Sequence, residues 1–225
     1  LQFYEFGKTY HKYIDKYEEQ KHLTLFVTGN RTKESWTIAN KTSDFFYLKG
    51  IVQVVLKKLG FSNVKTTPVK NDVFSEGISL SLGKQRLVDL GVIKQKVLKE
   101  FGIKQMVFFA DFNWTTILSL SGNKQVKVSD LPKFPLVKRD LALLLDQKTE
   151  FKEIYNLAFQ TERKLLKDVD LFDVYDGDKL PEGKKSYAVS FVLQDQNKTL
   201  ADKEIDKIMQ KLQQTFEKNV NAILR

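Results

Sequence analysis

The last 92 residues switch hydrophobic period four times, and few folds can accommodate that order. Val137 to Asp146 reads as a first strand. Glu150 to Lys164 then sets Phe151, Ile154, Tyr155, Ala158 and Phe159 at spacings of three and four, which predicts an amphipathic helix. Val169 to Tyr175 and Lys185 to Gln194 return to strand character, rich in β-branched and aromatic residues. Leu200 to Val220 resumes the helical period through Ile205, Ile208, Met209, Leu212 and Phe216. Thr199 is placed to cap that helix or to sit adjacent to the cap, and Asp202 and Glu204 lie near its positive end. Ala222 to Arg225 can close as a fourth strand. The order βαββαβ is that of the ferredoxin-like split motif, in which two helices cover one sheet face and leave the other available.

Upstream, Ser121 to Pro135 reads SGNKQVKVSDLPKFP, a polar, turn-rich stretch with two of the four prolines. Each proline pushes its predecessor toward extended backbone, so a linker is expected here, separating residues 1–130 from 131–225. In the first part, Leu1 to Tyr13 alternates aromatic and polar residues and His22 to Thr28 is a compact apolar run; both suit strands. Thr42 to Gly60 predicts a helix with Ser43 as cap, Asp44 near its N-terminus and Gly60 ending it. Its apolar face runs through Phe45, Leu48, Ile51, Val52, Val55, Leu56 and Leu59. Ile78 to Leu82, Leu87 to Ile93 and Gln105 to Trp114 read as strands, and Lys94 to Phe101 as a short helix ending at Gly102. Antiparallel strands with helices to one side make the class α+β.

Composition narrows the function. The absence of Cys excludes a disulfide framework, a thiol nucleophile and a Cys-ligated zinc site, and suits a cytoplasmic protein. No apolar run approaches the length of a membrane-spanning helix. Leu1 opens the chain without Met or a signal-like segment, which points to a fragment of a longer protein. The net charge of +9 permits a polyanionic partner, but it is unevenly placed. Residues 1–131 hold 20 basic against 12 acidic side chains, and residues 132–225 hold 17 against 16. The part with the sharper topology therefore has almost no bulk excess of positive charge.

Three segments of the second part, FPLVKRDLALLLD (Phe134 to Asp146), LFDVYDGDKLPEGKKSYAVSF (Leu171 to Phe191) and KTLADKEID (Lys198 to Asp206), closely resemble the ferredoxin-fold anticodon-binding domain that ends the β subunit of bacterial phenylalanyl-tRNA synthetases. FYEFGKTY (Phe3 to Tyr10), DFFYLKGIVQVVLKKLGF (Asp44 to Phe61) and the region from Leu87 to Trp114 resemble the catalytic-like module of the same subunit, which shares the class II synthetase sheet but lacks its active site. The resemblance implies a class II-like antiparallel module followed by the ferredoxin-like domain. It also implies tRNA(Phe) and the α subunit of an (αβ)₂ enzyme as partners. ATP and Mg²⁺ would serve the full enzyme, with no cofactor in this stretch. Amino-acid activation lies on the α subunit in that family, and editing lies in other β-subunit domains.

The residues agree that this stretch has no chemistry of its own. A phosphate-binding class II core needs arginines, and the first 131 residues offer only Arg31 and Arg86. His11 and His22 have no metal-ligand spacing, and no glycine loop is built to cradle phosphate. RNA contact is expected on the second domain. Lys184, Ser186, Ala188 and Ser190 alternate away from the apolar Tyr187, Val189, Phe191 and Leu193, giving a small polar sheet face. Lys138, Arg139, Arg163, Lys164, Lys167, Lys184 and Lys185 are candidate phosphate contacts, although Arg139 could be held by Asp140 or another carboxylate. Phe172, Tyr175 and Phe134 could stack on bases or fill the core. Two other classes stay open: a heteromer-assembly module, and an amino-acid-binding regulatory domain, for which the Asp146–Thr149 turn has no glycine.

Overall fold

The computed structural model describes residues 1–122 and 131–224. The core of the expected linker, residues 123–130, and the last residue of the expected final strand lie outside the described residues. The chain forms two compact units, Leu1–Lys127 and Val128–Arg225.

The first unit runs β1 (Gln2–Lys12), β2 (Tyr17–Thr28), α1 (Phe45–Lys58), β3 (Lys65–Pro68), β4 (Phe74–Leu82), β5 (Gln85–Ile93), α2 (Gln95–Glu100), β6 (Val107–Asn113) and α3 (Trp114–Ser121). Its six strands form one antiparallel sheet in the order β1-β2-β6-β5-β4-β3. The α1 face expected from the sequence is the one that packs: Leu48, Val52 and Leu56 are buried against Leu23, Leu90, Ala110 and Phe112. The cap differs from expectation. Asp44 accepts the Tyr47 N–H at 2.7 Å, while the Ser43 hydroxyl is buried without a partner among the described residues. A carboxylate also suits the positive helix end better than a hydroxyl does.

β3 and α3 were not expected. β3 has only four residues, one of them Pro68, which a strand tolerates at the sheet edge that β3 occupies. α3 is composed of WTTILSLS, whose β-branched residues speak for a strand. Two local facts override that propensity: Asn113 Oδ1 caps the Thr116 N–H at 3.0 Å, and Ile117 is buried in the core.

The second unit runs β7 (Val137–Asp146), α4 (Phe151–Thr161), β8 (Leu166–Tyr175), β9 (Lys184–Leu193), α5 (Asp202–Val220) and β10 (Ile223–Leu224). The sheet order β10-β7-β9-β8, all antiparallel where paired, is the expected ferredoxin-like arrangement. Leu143, Leu145, Val189, Phe191 and Leu193 face Ile154, Ala158, Ile205, Leu212 and Phe216 across the core. α4 stops earlier than expected: Glu162 leaves helical geometry, and its carboxylate accepts the N–H groups of Lys164 and Leu165 at 3.0 and 3.1 Å. Arg163 and Lys164 therefore sit in a turn. α5 is not capped by Thr199. Ala201 is the cap residue, and Glu204 reaches back to its N–H at 3.2 Å while bonding the Lys198 ammonium. Lys198 and that backbone N–H hold the Glu204 carboxyl below its ordinary range.

Candidate nucleic-acid interface

Strand register decides which side chains share a face, because neighbours along a strand point to opposite sides. In the second unit, Val137, Leu141 and Leu143 pair with Leu193, Val189 and Tyr187 on the helix-covered side, and Leu145 on the same side pairs with Lys185. Lys138, Asp140, Ala142 and Leu144 pair with Val192, Ser190, Ala188 and Ser186 on the open side. β8 adds Asp170 opposite Ser190, Asp173 opposite Ala188 and Tyr175 opposite Ser186. A bulge between Leu171 and Asp173 leaves Phe172 as the extra residue. Phe172 is 53% exposed and Tyr175 38% exposed, so both rings are available as stacking surfaces rather than core.

The predicted cations divide into three groups. Lys138 is on the open face, with its ammonium 5.7 Å from the Phe172 ring centre. Arg163, Lys164 and Lys167 occupy the α4–β8 turn and the first residues of β8, at the same end of the sheet as Lys138. Lys164 and Lys167 line a groove there with Gln194 and Asn197. The remaining three lie elsewhere. Arg139 lies on the helix side, 3.5 Å from Asp202 at the start of α5. Lys185 also faces the helix side, its ammonium 4.7 Å from the Tyr187 ring centre. Lys184 sits on the open face but is bound to Asp146 at 2.6 Å. The structure thus gathers Lys138, Arg163, Lys164 and Lys167 at one end and separates them from Arg139, Lys184 and Lys185.

Acids share this face, a placement that the sequence reading of β9 alone did not make. Asp140, Asp170 and Asp173 all project from the open side, beside the hydroxyls of Ser186 and Ser190. A face with this many acceptors repels phosphate, yet it can accept hydrogen bonds from base edges. Period-two alternation applied to β7 and β8, and not to β9 alone, would have exposed it.

The first unit carries an aromatic row on its sheet. Phe26, Phe109 and Phe74 form this row, with ring centres 4.6 and 6.1 Å apart along it. Phe74 lies directly on Gly91, where a Cβ would stand 2.7 Å from its ring and 2.4 Å from the Glu76 carbonyl oxygen. Backbone cannot yield cheaply at such a distance. Gly91→Ala is expected to destabilise the first unit by roughly 2 kcal/mol or more, measured by chemical denaturation. Near this row, His22 Nδ1 is 2.8 Å from Asp111 and its Nε2 is 3.1 Å from the Thr9 hydroxyl. Arg86 is bound to Asp89 at 3.0 Å and Arg31 to Asp44. Each guanidinium is thus paired with a carboxylate. Among the described residues no group of three or more His, Cys, Asp or Glu could hold a metal ion, and no helix is long and apolar enough to cross a membrane.

Residues 1–114 match the family described as phenylalanyl tRNA synthetase beta chain CLM domain, and residues 132–225 match the ferredoxin-fold anticodon binding domain. The chain belongs to the phenylalanyl-tRNA synthetase β-chain family. The resemblance read from the sequence and the expected α+β class are therefore borne out. The phenylalanine–tRNA ligase β subunit of Bacteroides thetaiotaomicron is 44% identical over 100% of this chain and 29% of its own length. That of Porphyromonas gingivalis is 39% identical with the same coverage, and that of Listeria monocytogenes is 33% identical over 92% of this chain and 26% of its own. The chain spans less than a third of the length of these curated relatives.

Proposed function

We propose that this chain is a non-catalytic part of a phenylalanine–tRNA ligase β subunit, and that residues 131–225 bind tRNA(Phe) near the anticodon stem. Residues 1–130 act as the inactive synthetase-like module that supports the α subunit in an (αβ)₂ assembly. The full enzyme, in the cytoplasm, uses ATP and Mg²⁺ to attach phenylalanine to tRNA. One observation carries the RNA reading: two exposed rings, Phe172 and Tyr175, stand on an open sheet face beside hydrogen-bond acceptors, with basic residues at one end. Stacking platforms beside acceptors suit unpaired bases, and peripheral cations suit the backbone that carries them.

The heteromer role has its own support. β1 is an 11-residue edge strand exposed on both faces, and Phe3, Tyr4, Phe6 and Tyr10 all reach solvent from it. A long aromatic edge of this kind is built to be covered. The test has two parts, both on the purified 225-residue chain. Titration with tRNA(Phe) is expected to give binding that weakens steeply with salt, and phenylalanine-dependent pyrophosphate exchange is expected to stay at background. Exchange above background, or no tRNA binding at low salt, would refute the corresponding half of the reading.

A further inference from the structure

We propose that Asp140, Ser190 and Asp170 form a row that reads the exocyclic amino group of an unpaired base, closed in the free chain by the contact between Lys138 and Phe172. The inference rests on the open face being an RNA surface, and it adds which chemistry that face selects.

Ser190 is fully buried although it belongs to the open side of the sheet, and its hydroxyl has no partner among the described residues. Asp140 stands directly opposite it on β7, and Asp170 directly opposite on β8. Both carboxylates are exposed, and among the described residues neither has a hydrogen bond or an ion pair. Two carboxylates and a hydroxyl thus lie in one line across three strands, and none of the three has a hydrogen-bond partner among the described residues.

Register also explains what covers the serine. Lys138 lies two residues before Asp140, in the row of Val192, and Phe172 is the extra residue of the β8 bulge, just before Asp173 in the row of Ala188. Their contact, 5.7 Å from ammonium to ring centre, therefore runs diagonally across β9 above Ser190. Lysine on an exposed ring is a weak, easily displaced cover. A base sliding onto Phe172 replaces it, and the small Ala142 and Ala188 beside the row leave room for a flat ring. The freed ammonium stays on the same face, where the phosphate of the inserted nucleotide can take it up.

The row selects by polarity. Two carboxylates exclude phosphate and repel carbonyl oxygens, whereas an amino group on adenine, cytosine or guanine donates two hydrogens into them. Uracil has no amino group, and its single N–H is flanked by carbonyls. Hairpin RNAs with one common stem and loops of adenosine or uridine separate these cases when bound to the whole chain and followed by fluorescence anisotropy. The unmodified chain is expected to prefer the adenosine loop by about tenfold, and Ser190→Ala and Asp170→Asn, made separately, should each cut that preference to about threefold or less. Ser190→Ala removes only a hydroxyl without a partner, so its fold is not at risk. A preference that survives in both variants, or equal affinity of the unmodified chain for the two loops, would overturn the inference while leaving the RNA reading intact. Absence of binding to either loop would overturn both.

Discussion

Replacing Lys138, Arg163, Lys164 and Lys167 together by alanine is expected to flatten the salt dependence of tRNA binding. Each phosphate contact releases condensed counterions, so losing four should lower the slope of log affinity against log salt by about three. The matched control is Arg139→Ala, Lys184→Ala and Lys185→Ala combined. Those cations are spent on Asp202, Asp146 and the Tyr187 ring, and their loss should change the slope by less than about one. A steeper effect from the control set than from the four would place the backbone contact elsewhere. The contrast matters because the second part of the chain is nearly neutral, with 17 basic against 16 acidic side chains from residue 132 onward. Binding there depends on where cations gather, and not on how many there are.

Phe216→Ala is the substitution expected to cost most in the second unit. The ring is fully buried and stacks on Phe191, with centres 5.9 Å apart. Removing it leaves a cavity between α5 and the centre of the sheet, for which the usual loss is about 3–5 kcal/mol. Since small domains hold only about 5–15 kcal/mol in total, much of the unit's stability would go. Denaturant unfolding followed by circular dichroism gives the number, and tRNA affinity should fall with it because β9 carries Ser186 and Ser190. A loss below about 1 kcal/mol would mean that the core repacks around the vacancy, contrary to the packing described.

What could be read from the sequence follows from the length of the periodic signal. α5 is 19 residues long with four buried positions at helical spacing, and its extent was legible to within two residues at its start. β9 alternates from Ser186 to Phe191, so its two faces were legible there. α3 was not, because eight residues of strand-like composition depend on a cap and on tertiary burial of Ile117. The candidate site was legible by residue type but not by grouping. Lys184 and Lys185 are adjacent in sequence and therefore opposite in space, and Arg139 finds its partner 63 residues away at Asp202. The Asp140–Ser190–Asp170 row needs the pairing of three strands, which only the folded sheet supplies.

A ribonuclease footprint of tRNA(Phe) bound to the intact chain tests the central claim most directly. Protection of the anticodon loop and the adjoining stem, lost as salt is raised, is the predicted result. Protection confined to other parts of the tRNA, or none at a salt concentration where the chain binds, would contradict it.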